Sequence, residues 1–112
     1  MLELEDKYVF HIPMHKFENE RVTRINMEKV IDDLIRILNE SGYDSFYSTK
    51  VTGHYKDRSF DEVLITVFSS SSSNRHSPDV LFSKWFKDNN GELRQEAFAY
   101  EYNNRVYIEK LE

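Results

Sequence analysis

The sequence contains no cysteine. Disulfides, thiolate zinc sites and thiol nucleophiles are therefore excluded. Only 3 glycines and 2 prolines occur in 112 residues, and no glycine-rich phosphate cradle can be found. No long apolar run is present either. The opening "MLELEDK" is acidic and reads as neither a signal peptide nor a membrane anchor. A soluble, cytoplasmic protein is expected. No basic excess exists: net charge is -5, and its carriers are spread evenly over both halves. Duplex binding leaves a basic footprint, so nucleic acid is not expected as a partner, and the carboxylates are too sparse for a DNA mimic.

Aromatic residues make up 14% of the chain, with 39% hydrophobic residues in all. That composition argues against disorder and supplies a core for a single domain over residues 1–112.

Hydrophobic periodicity divides the chain. "KYVFHIPM" alternates, with Tyr8, Phe10, Ile12 and Met14 on one face, and predicts a strand. "HKFENERVTR" reads as a loop. Asn26 offers a helix N-cap before Met27, Val30, Ile31, Leu34 and Leu38, which recur at helical spacing, and Gly42 is placed to end that helix. "DSFYSTKVTGHY" and "FDEVLITVF" predict a hairpin. Ser77, Pro78 and Asp79 open a second helix, with Val80, Leu81, Trp85, Phe82 and Phe86 as its apolar residues. "QEAFAYEY" and "RVYIEKL" flank Asn103-Asn104, a pair suited to a type I′ turn. The order β-α-β-β-α-β-β predicts an α+β, ferredoxin-like two-layer sandwich: an antiparallel sheet with two helices on one face.

That order, with "ESGYDS", "STKVTGH", "VLITVF" and "EAFAY…RVYIE" in sequence, resembles PII-like and CutA-like ferredoxin-fold proteins. Thr49, Val51 and Gly53 form the shared T-x-V-x-G string. The resemblance implies the fold class. Nucleotide-binding regulators and trimers occur in those families, but the short "KDRS" connection departs from the long loop of PII proteins. No ligand or catalytic residue is carried over.

Several constellations remain. The run "SSSSSNRHSP" at residues 69–78 ends at a helix start, where Asn74, Arg75, His76 and Ser77 could hold an anion. Asp79 and Pro78 oppose that reading, and the five serines are expected to form an exposed, replaceable loop. His11 and His15 have helical metal spacing but lie on a strand pattern, roughly 13 Å apart, so no metal site is expected. Tyr47, His54, Tyr55 and Glu96 could form an acid–base or ligand pocket. In the last hairpin Phe98, Tyr100, Tyr102 and Tyr107 share one face, and Ala97, Ala99, Val106 and Ile108 the other. Two apolar faces predict a homo-oligomer, most simply a dimer, with a trimer the alternative, and with the aromatic residues at its interface.

The leading expectation is a non-enzymatic, self-associating binding or regulatory module without cofactor. The alternatives are a small enzyme or ligand-binding protein with a pocket of tyrosines and His11 or His54, and a protein–protein inhibitor of the kind found in mobile elements.

Overall fold

Alternation along "DKYVFHIP" builds strand β1 (Asp6–Pro13), whose even-numbered residues are buried and whose odd-numbered residues are exposed or half-buried. The computed structural model describes residues 3–70 and 76–111, without the side chains of Glu18 and Tyr55. After β1 come β2 (His15–Glu18), β3 (Arg21–Arg24), α1 (Met27–Glu40), β4 (Phe46–Tyr55), β5 (Arg58–Ser69), α2 (Pro78–Leu93), β6 (Ala97–Tyr102) and β7 (Arg105–Lys110). The described residues form a small α+β domain: a five-stranded antiparallel sheet in the order β4-β5-β1-β6-β7, two helices and a separate β2–β3 hairpin.

The element order departs from expectation at residues 15–24. The stretch read as a loop is a hairpin, with Phe17 opposite Val22 and a turn at Asn19 and Glu20, both with positive φ. Asparagine tolerates that conformation, which lets a polar tetrad close the turn without glycine.

Elsewhere local chemistry acts as expected. Asn26 Oδ1 accepts from the Lys29 amide at 3.3 Å, and Gly42 adopts φ 85° just beyond α1. Asn103 and Asn104 take φ 47° and 71° in the β6–β7 turn.

One apolar cluster joins the sheet to both helices. Phe10, Ile12, Val63, Ile65, Val67 and Phe98 meet Val30, Leu34 and Leu38 of α1 and Phe82 and Phe86 of α2. The rings of Phe10 and Phe82 lie 4.4 Å apart, and those of Phe86 and Phe98 4.6 Å. Burying one such side chain stabilises the fold by about 1.5–3 kcal/mol. On α2, Phe82 and Phe86 carry the burial, while Val80 is exposed.

The aromatic face of the last hairpin points inward, which corrects its assignment to an interface. Phe98 is 1% exposed. Tyr100 and Tyr102 pack against the core, and Tyr107 stacks on Tyr100 at 5.4 Å. A helix covers this face, so Phe98, Tyr100 and Tyr102 complete the core, while Tyr107 on the edge strand stays exposed. The small aliphatic face looks outward: Val106 is 67% and Ile108 72% exposed.

The serine run is also corrected at its start. Ser69 pairs with Asp6 as the last residue of β5 and is buried. Residues 71–75 lie outside the described residues.

Candidate functional site

The sheet has one face under the helices and one open face, and β1 contributes His11 to the open one. Across the ladder His11 stands opposite Leu64 on β5 and Ala99 on β6. Its diagonal neighbours carry carboxylates: Glu62, two residues before Leu64, and Glu101, two residues after Ala99. Side chains two residues off a direct pair remain within reach of one another. His11 Nδ1 lies 3.1 Å from Glu62 Oε2, and His11 Nε2 lies 2.8 Å from Glu101 Oε2. All three side chains are half-buried. Gly53 makes room for this arrangement, since a Cβ there would meet Glu62 Oε1 at 3.2 Å.

A cavity of about 590 Å³ opens beside this bridge, within the range of small-molecule sites. The β2–β3 hairpin forms one wall with Phe17 and Val22, and Phe60, Ala97 and Ala99 add apolar surface. Gln95 Nε2 donates to the His15 carbonyl at 3.0 Å and ties the hairpin to the segment before β6. Asp61, Glu62 and Glu96 supply acid, and Lys16, Arg58 and Arg94 supply base. Such a cavity suits a zwitterionic or cationic ligand with a flat apolar part: carboxylates for a cation, guanidinium groups for a carboxylate, phenyl rings for a heterocycle.

A second cavity, of about 280 Å³, lies between α1, α2 and the hairpin, with Arg24, Lys29, Asp33 and Trp85 among its walls. It is smaller, and no histidine enters it.

The pocket expected from Tyr47, His54, Tyr55 and Glu96 does not assemble. Tyr47 and His54 have opposite parity on β4, and His54 bonds Ser59 at the far end of the strand. The Tyr55 side chain is outside the described atoms. Glu96 alone of the four reaches the His11 cavity. Of the expected anion site, Asn74 and Arg75 lie outside the described residues. Ser77 makes no side-chain cap, and the His76 carbonyl accepts from Tyr43 Oη at 2.6 Å. His15 belongs to β2, and among the described residues no cluster of metal-ligating side chains forms.

The tyrosines at the α2 end of the covered face are donors, not bases. Burial, then the charge and hydrogen bond of Asp79, push Tyr100 up to about 12. Burial raises Tyr8, and the hydrogen bond to Asp6 raises Tyr102. Tyr102 Oη donates to buried Asp6 at 2.9 Å. On the outer side of α2, Glu109 accepts from Ser83 and Lys87, which hold its carboxyl below the usual range.

No family model matches the chain, and no curated protein matches it significantly. Two solved structures share its fold. A phage SAM lyase in complex with S-methyl-5'-thioadenosine superposes with a TM-score of 0.58 at 15% identity, over 98% of this chain and 95% of that one. A phage SAM lyase in the apo state gives 0.59 at 17% identity, over 98% and 94%. At such identities the likeness establishes the fold alone.

The expectation of a module without catalytic activity is corrected on this ground: the two structures that share the fold over nearly their whole length are of enzymes. Among the readings drawn from the sequence, the small enzyme with a histidine in its pocket is the one this likeness favours. No described helix is long and apolar enough to cross a membrane.

Proposed function

We propose that this chain is a lyase that cleaves S-adenosylmethionine and releases S-methyl-5'-thioadenosine, acting in the cavity beside His11, Glu62 and Glu101. The observation that carries the reading is the pair of carboxylates bridged by His11 at the edge of a ligand-sized cavity, on a fold shared with a SAM lyase. The interleaved strand order supports reading the domain as a ferredoxin-like sandwich, enlarged by the β2–β3 hairpin and edge strand β7.

The residues suit the substrate group by group. Phe17 and Phe60 offer rings for adenine. Arg58 is placed for the substrate carboxylate and Glu62 for its ammonium, with Glu101 behind His11. Cleavage returns the carbon–sulfur bonding pair to sulfur, and the carbon gains a new pair either from an oxygen of the substrate's own carboxylate, closing a lactone, or from a neighbouring C–H bond whose proton passes to a base, leaving an alkene; either way the sulfonium charge is dispersed as the bond breaks. An apolar wall of Ala97, Ala99 and Val22 around the sulfur penalises the charged ground state more than the dispersed transition state. A carboxylate in direct contact with sulfur would do the opposite. Glu62 therefore serves better on the ammonium, or as the acceptor of a proton from the four-carbon fragment.

The test is incubation of the purified protein with S-adenosylmethionine and mass spectrometry of the products. S-methyl-5'-thioadenosine should appear faster than in buffer, and Glu62→Gln should abolish the excess. No excess in the unmodified protein would sink the reading.

A second proposal concerns assembly. Val106 and Ile108 are large, exposed and adjacent on the open face of edge strand β7, and such patches mark interfaces. We propose that this aliphatic face, in place of the aromatic one, joins copies of the chain. Light scattering should show an oligomer that Ile108→Asp dissociates. A monomer at high concentration would contradict it.

A further inference from the structure

We propose that His11 is a pH-operated stand-in for the cationic group of the ligand: its doubly protonated ring fills the seat between Glu62 and Glu101, and ligand binding evicts it. The proposal rests on the reading of this cavity as a site for S-adenosylmethionine.

Both ring nitrogens of His11 lie within hydrogen-bond distance of a carboxylate, one on each neighbouring strand. An imidazole with one proton has one donor and one acceptor. Its acceptor nitrogen would then confront a carboxylate oxygen with no hydrogen between them. Only a ring carrying both protons satisfies both contacts, and it then sits as a cation between two anions. Among the described residues neither carboxylate has another hydrogen-bond or ion-pair partner. A ligand ammonium that takes either carboxylate must therefore take it from His11. Once His11 loses one contact it has no further need of its second proton, and binding releases that proton.

The sign follows from linkage. Protons compete with the cationic ligand for the seat, so its affinity weakens as pH falls, by up to about tenfold per pH unit for one coupled proton. A neutral ligand has no cation to seat and shows no such slope. The other charged groups around the cavity are Asp61 and Arg58 on β5, His15 and Lys16 on β2, and Arg94 and Glu96 before β6. Of these only His15 is a second imidazole, so it serves as the control. His11 acts through the two glutamates and is a positioning residue.

Calorimetric titration between about pH 5.5 and 7.5 tests this with two probes. One is sinefungin, the uncleavable analogue with an amine-bearing carbon in place of the sulfonium. The other is S-methyl-5'-thioadenosine, which is neutral. We expect the sinefungin dissociation constant to rise at least tenfold from the top to the bottom of that range. The thioadenosine constant should stay flat. His11→Gln should remove the sinefungin slope, and His15→Gln should keep it. Ring-nitrogen NMR of the unmodified protein gives a readout independent of any variant: at low pH both His11 nitrogens are protonated, and sinefungin removes one proton. If both probes bind without a pH slope, or if the ring keeps its protons on binding, the stand-in is wrong while the site survives. If neither probe binds at any pH, the site itself is wrong and the stand-in falls with it.

Discussion

Phe10 and His11 are adjacent in sequence and stand on opposite faces of the central strand. Phe10 is fully buried and touches the rings of Tyr8, Phe82, Phe98 and Tyr100. His11 is half-buried and touches two carboxylates. The same ladder thus delivers an apolar core on one side and a charged bridge on the other. The period of two in a strand is what separates them. The covered face specifies the fold through ring packing, and the open face is free to carry chemistry because little of the core depends on it.

Substitutions on the two faces should therefore have different signatures. The largest effect is expected from Phe10→Ala, which removes the ring at the centre of the aromatic cluster. Loss of a buried phenylalanine costs about 3–5 kcal/mol, and denaturant unfolding should shift accordingly. A loss below about 1 kcal/mol would show that the core does not close around β1. Next comes Glu62→Gln on the open face. It keeps shape and removes charge, so the proposed lyase activity should fall about a hundredfold or more, while the melting temperature stays within a few degrees. Equal losses of activity and stability would erase the distinction between the faces.

Smaller effects come from the polar rim of the covered face. Tyr102→Phe deletes the 2.9 Å hydrogen bond to buried Asp6. Asp6 is left with Asn103 Nδ2 at 3.4 Å, and a small but measurable drop in melting temperature is expected. The smallest effect is one of pH. Tyr100 is raised in the folded state to about 12. Its contribution is fully present below the ordinary tyrosine value near 10 and is lost as pH rises toward the folded value. The stability of Tyr100→Phe should accordingly fall less steeply over that alkaline window. Parallel curves would show that Tyr100 does not titrate with unfolding.

The covered face was the legible one. Val30, Leu34 and Leu38 recur at helical spacing and are buried. Asn103-Asn104 form the turn their tolerance of positive φ suggests. The hairpin at residues 15–24 went unread because its apolar content is one phenylalanine and one valine, paired with each other and exposed. Alternation of His15, Phe17 and Val22 around a polar turn was the available signal. The two faces of the last hairpin are legible in its alternation, but their orientation is not, because sequence cannot show that α2 covers the aromatic side. The site was the least legible part. The sequence offers His11 or His54 as a pocket histidine, but Glu62 and Glu101 come to His11 from strands 51 and 90 residues away. Such convergence is a property of strand order and register, and no local spacing announces it.

The sharpest comparison of the two faces is where S-methyl-5'-thioadenosine, the proposed product, binds. We would follow backbone amide shifts during titration with S-methyl-5'-thioadenosine. Perturbations should centre on His11, Phe17, Val22, Glu62 and Ala99, with Val30 and Trp85 unmoved. Shifts centred on the smaller cavity between the helices, around Arg24, Lys29 and Trp85, would place the ligand on the other side of the sheet and contradict the assignment of the site to its open face.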